Sequence, residues 1–155
     1  MKTLKYRIAA GLVMLPFLVG VVISHWGPLL SLYIQTLWIW VVCFSVYWVG
    51  IGALFAKLYL PRWKGWWLGN SVVLASFAVF AWQFIMMSGE TGILAIGGLA
   101  QAAILYVIPV ASRILSFFST IPPSEGIHAL AYVISGVLFS AGYLYGKFLS
   151  NSSSP

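Results

Sequence analysis

The sequence predicts an all-α integral membrane protein: a bundle of about five transmembrane helices, N-terminus inside and C-terminus outside. Three observations carry this. Of the 155 residues, 62% are hydrophobic and only 6% charged, with a mean hydropathy of +1.01. An ordinary soluble domain carries about 25% charged residues, so this chain lacks the polar surface to face water all round. Apolar runs recur that are long enough to cross a hydrocarbon core of about 30 Å, each needing about 20 residues. Finally, the cations stand in small groups at the ends of those runs, as cytoplasmic anchors do. Inside lipid each segment must pair its own backbone polar groups, which selects helices. A transmembrane barrel would alternate in segments of about 10 residues, and these runs are continuous.

Lys2, Lys5 and Arg7 precede the first apolar run, 8–24. A secretory signal has the same layout, but the run ends Val22-Ile23-Ser24-His25-Trp26-Gly27-Pro28, without a small-x-small cleavage pattern. It predicts an uncleaved first span with its N-terminus inside. Pro16, in mid-span, cannot bond back to the Leu12 carbonyl and predicts a kink. Residues 25–31 predict a short external turn, with Trp26 at headgroup depth and Gly27-Pro28 breaking the helix. The second span, about 32–56, is longer than a crossing needs and is expected to tilt or to start in the interface. It ends at the basic, aromatic stretch 57–67, where Lys57, Arg62 and Lys64 are cytoplasmic topology anchors and Trp63, Trp66 and Trp67 an interfacial belt.

The third span covers about 66–87, and 88–92, with Glu90, predicts a tight external turn. The fourth span, about 93–112, carries Pro109 and ends at Arg113, a further inside anchor. Residues 114–121 are too short to cross and are expected along the inner interface until Pro122-Pro123 stops them. Ser124 and Glu125 suit the start of the fifth span, about 127–146. Lys2, Lys5, Arg7, Lys57, Arg62, Lys64 and Arg113 then fall inside, and Lys147 alone outside. Residues 1–150 read as one polytopic transmembrane domain and 151–155 as a short disordered tail.

Chemistry is sparse. There is no aspartate, and the two glutamates, Glu90 and Glu125, fall in different loops, which removes paired-carboxylate mechanisms. No phosphate-binding glycine loop or zinc helix is present, and the lone Cys43 offers neither a disulfide nor a thiolate cluster. In the five-span topology His25 and His128 lie on opposite sides. No cofactor or metal is expected, and an enzyme is the weakest class. The distribution of the net +6 charge excludes a nucleic-acid-binding face.

Candidate polar-pathway or helix-packing residues are Gln83, Gln101, Glu125, His128, Ser135 and Gly142. His128, Ser135 and Gly142 recur every seven residues on the fifth span, with Tyr132 and Gly146 nearby and Glu125 one turn before His128. That stripe suits either a protonatable mouth above a groove or, more economically, an interfacial pair above a small-residue packing seam. Gly65-x-x-x-Gly69 and Gly142-x-x-x-Gly146 have the spacing of close helix contacts and point to packing within the chain. Gln83 and Gln101 need partners inside the bundle or in another subunit.

The leading expectation is a non-enzymatic accessory or assembly subunit of a membrane complex. It would reside in the cell membrane, of the bacterial inner-membrane type, contacting the lipid bilayer and a larger membrane protein or further copies of itself. The alternative is an oligomeric small-solute or proton-linked transporter or channel, whose route uses Pro16, Pro109, the two glutamines and the His128 face.

Overall fold

The computed structural model describes residues 2–58, 61–86, 94–121 and 123–152. Among these it is all-helical: α1 (Lys2–His25), α2 (Gly27–Gln35), α3 (Leu37–Ala56), α4 (Arg62–Met86), α5 (Leu94–Ala102), α6 (Ile108–Ser116) and α7 (Ser124–Ser152). Four helices, α1, α3, α4 and α7, are long and apolar enough to cross a membrane.

Local chemistry sets the boundaries. α1 stops where Trp26 turns extended, at φ −110° and ψ 101°, and Pro28 then occupies the first turn of α2, where its missing N–H costs nothing. One residue, Thr36, separates α2 from α3. Its hydroxyl donates to the Leu32 carbonyl at 2.7 Å and accepts the Trp40 indole N–H at 3.0 Å, bending the backbone between the two helices. The expected long second span is therefore a bent pair. The α4 start, placed at about 66 from the sequence, lies one turn earlier at Arg62. Asn151 and Ser152 continue α7, correcting part of the disordered-tail expectation; 153–155 lie outside the described residues, as does the expected turn at 88–92.

Registers between helices fix the direction of each. Gly142 packs on the Val49 backbone, Gly52 on Phe139, and Gly146 on Ala53 and Ala56, so α3 and α7 run parallel. A methyl at Gly146 would stand 2.7 Å from Ala56 Cβ, and methyls at Gly52 and Gly142 would overlap the facing carbonyls. Without a hydrophobic drive between helices in lipid, this backbone proximity is what holds the pair. α4 runs antiparallel to α7: Trp66 Nε1 donates to Ser140 Oγ at 2.9 Å near one end, and Phe80 meets the His128 ring at 5.5 Å near the other.

Two expectations are overturned here. α7 ends beside Ala56 and the basic stretch, so its C-terminal end shares an end of the bundle with Lys57 and Lys64 instead of standing opposite. The expected fourth span does not form one continuous helix along the bundle. α5 starts level with Gln83, which faces Gly97, and descends past Tyr132 to Ala102, which abuts Gly20 of α1. The chain turns through 103–107, and α6 climbs back until Leu115 lies 3.6 Å from the position a Gly126 methyl would take, at the start of α7. α5 and α6 are thus a re-entrant hairpin. Arg113 and 114–121 consequently lie at the end away from the basic stretch, not at the inner interface with the other anchors. His25 and His128 share that far end instead of lying on opposite sides. Relative to Lys57 and Lys64, Arg113 and Lys147 have exchanged ends.

Candidate functional site

Proline explains the hairpin. Pro109 has no N–H for the carbonyl four residues back, that of Leu105, and its ring crowds it. The Tyr33 hydroxyl, 72 residues away in sequence, takes that carbonyl at 2.8 Å. Ile104 N–H bonds to Gln101 O at 3.0 Å, which releases the Ala100 carbonyl, and the Tyr132 hydroxyl donates to it at 2.7 Å. The mid-span kink at Pro16 is treated likewise: its orphan, the Leu12 carbonyl, accepts the Tyr47 hydroxyl at 2.7 Å. Three tyrosines therefore supply the donors that broken helices withdraw. Backbone free of regular helix is tolerated at this depth only when buried in protein or lining a cavity.

The tip of the hairpin is buried: Ala103 is 1% and Ile104 0% exposed. Tyr106 stacks on Phe44 at 4.5 Å, and its hydroxyl lies beside that of fully buried Ser135 without hydrogen-bond geometry. Ser135 Oγ already donates to the Ala131 carbonyl at 3.0 Å, leaving it an acceptor. One turn beyond Phe44, Trp48 is fully buried with no acceptor for its indole N–H. Ser135 stands 11 residues into α7, about 16 Å along the helix, near the middle of the bundle. Tyr106 at the tip and Trp48 one turn of α3 past its stacking partner thus hold two uncharged unmatched donors, with Ser135 an acceptor beside the first. Buried polar atoms left unmatched cost roughly 1–3 kcal/mol each, which calls for a guest or a role.

The predicted site residues fall around this point without forming one groove. Gln83 lies against Gly97 on α5, and half-buried Gln101 sits one turn further on, at the lip of the break. Glu125 is exposed in the first turn of α7, and His128 Nδ1 pairs with the Ser124 carbonyl at 2.6 Å. Of the seven-residue stripe, His128 meets α4, Ser135 the hairpin tip and Gly142 α3, so it is a packing seam of three surroundings. Gly65 and Gly69 both face α7, at Tyr143 and Phe139, as intrachain packing requires. Lys57 caps α3, Lys64 is exposed beside a tryptophan cluster with ring separations of 5.3–6.1 Å, and Arg62 opens α4. Sequence reasoning missed Tyr33, Tyr47, Tyr106 and Trp48. For Tyr33 and Tyr47 a partial signal existed, since each mid-span proline orphans a carbonyl that calls for some donor on a neighbouring helix; Tyr106 and Trp48 left none.

Among the described residues no cluster of three or more His, Cys, Asp or Glu could hold a metal. No family model, curated protein or solved structure matches the chain.

Proposed function

We propose that the protein is a multi-pass protein of a bacterial-type cell membrane that passes or holds a small uncharged solute at the hairpin tip. The single observation carrying this is the tip of the discontinuous α5–α6 segment, where the unmatched Tyr106 hydroxyl lies beside Ser135, with the equally unmatched Trp48 indole one turn of α3 beyond Phe44. Broken helices meeting near the bilayer midplane are the recurrent construction of transport sites. The solute is neutral because residues 8–24, 37–56, 65–86, 94–112 and 129–146 contain no Asp, Glu, Lys, Arg or His. A charge at that depth would find no counter-charge. The positive-inside rule assigns the end with Lys57, Arg62, Lys64 and Lys147 to the cytoplasm, together with the start of α1.

The test is solute flux into liposomes carrying the purified protein, by stopped-flow light scattering with water, glycerol and urea. Permeation above protein-free liposomes, reduced several-fold by Tyr106→Phe and by Gln101→Leu, is expected. Flux equal to the protein-free control would sink the proposal.

A second reading, an accessory or assembly subunit, is favoured by one feature. Phe117, Phe118 and Ile121, just past α6, are each more than 80% exposed, as residues covered by a partner would be. A stable heteromeric partner retained in mild detergent, with no flux, would select it.

A further inference from the structure

A further unsatisfied atom lies away from the hairpin tip. Asn70 on α4 is 1% exposed. Its Nδ2 donates to the Trp66 carbonyl at 3.1 Å, and its Oδ1 is buried without a donor. The assignment cannot be flipped, because an amide oxygen facing the Trp66 carbonyl would set acceptor against acceptor. The free atom is therefore an acceptor. Asn70 lines a groove of about 220 Å3 between α4 and α7, walled also by Trp66, Phe77, Tyr132 and Val133, with Oδ1 just beneath its surface. Gly136 stands opposite the amide, and even a methyl there would be 3.8 Å from Oδ1. Phe77 and Val133 are 40% and 59% exposed, so the open side of the groove faces outward from the bundle.

We infer that this groove binds a neutral lipid with a free hydroxyl, of the long-chain alcohol or diacylglycerol type, which donates to Asn70 Oδ1 while its chain lies along Phe77 and Val133. Depth and polarity together select the occupant. Asn70 lies eight residues past Arg62, about 12 Å along the helix from the basic, tryptophan-rich end. An ordinary phospholipid brings only ester oxygens to that level, which are acceptors and would repel the amide oxygen. A lipid lacking phosphate can sink deeper and bring a donor. The groove shares Tyr132 with the support of the hairpin but none of Tyr106, Ser135 and Trp48, and does not depend on the transport reading.

The experiment uses the full chain in phosphatidylcholine nanodiscs. A long-chain alcohol carrying a mid-chain diazirine is photolysed beside phosphatidylcholine bearing the same diazirine chain, and crosslinks are mapped by peptide mass spectrometry. The alcohol should label the stretches around Phe77 and Val133. Asn70→Leu should cut that labelling about five-fold, the equivalent of one hydrogen bond of about 1 kcal/mol, without changing phosphatidylcholine labelling. Gly136→Leu, which fills the groove and leaves Asn70 in place, should do the same and guards against misfolding of the first variant. Equal labelling of the groove by both probes, labelling by neither, or alcohol labelling indifferent to both substitutions overturns the inference. So does doubled mass with loss of both labels, which would seat a second copy there.

Discussion

Removing the Tyr47 hydroxyl should destabilise the bundle only while Pro16 is present. Tyr47→Phe strips the donor from the Leu12 carbonyl, whose own helix has none to give because residue 16 is proline. Interhelical hydrogen bonds in membranes average about 0.6 kcal/mol and reach about 1.7, whereas a buried acceptor left bare costs about 1–3 kcal/mol. The interaction is part-buried and has no helical alternative, so about 1–2 kcal/mol is expected. Pro16→Ala restores an N–H at position 16 that can bond Leu12 directly. In that background Tyr47→Phe should cost less than about 0.5 kcal/mol, a coupling near 1 kcal/mol in the double-mutant cycle. The cavity left by trimming buried Pro16 is common to both arms of the cycle and cancels. Reversible unfolding in mixed detergent micelles, followed by circular dichroism against the mole fraction of sodium dodecyl sulfate, measures all four corners. Equal cost for Tyr47→Phe in both backgrounds would show that the hydroxyl does not serve the proline's orphan carbonyl.

Further outcomes follow from the same geometry. Gly52→Ala should destabilise by more than about 2 kcal/mol, since its methyl would meet the Phe139 carbonyl, while Gly50→Ala, with open space around it, should be neutral or gain about 0.5 kcal/mol; the same micelle titration separates them. For topology, reporter fusions at residue 60 and after residue 152 should both be active in the cytoplasm, and Ser119→Cys in a Cys43→Ser background should react with an impermeant maleimide from outside. Opposite reporter signs at the two fusion points would restore a fifth crossing. Ser140→Ala removes the acceptor of the Trp66 indole and should shift tryptophan emission and cost about 1 kcal/mol; unchanged emission would mean that the indole is satisfied elsewhere.

Much of this was legible in residue order. The end of the second apolar run at Ala56, the Gly27-Pro28 break and the Ser124–Glu125 start lie at the observed helix boundaries, because caps and proline act on their own neighbours. Pro16 and Pro109 were visible as defects in helical bonding. Their repair was not, since the donors come from 35 and 72 residues away and depend on which helices touch. Trp48 and Tyr106 read as ordinary apolar-run residues, and only the packing leaves their polar atoms unmatched.

Residue order alone determined that the chain is helical, roughly where its long apolar segments lie, and that its cations cluster at the ends of those segments. Whether 93–112 goes through the bundle or turns back was decided by the tertiary structure alone. Hydropathy sums the transfer of side chains out of water, and that sum is the same for a segment that crosses and for one that folds back within a protein shell. The difference lies in the backbone. A reversal at mid-depth is tolerated here because Gly20 lets α1 approach the break and because Tyr33 and Tyr132 supply hydroxyls to the carbonyls it exposes.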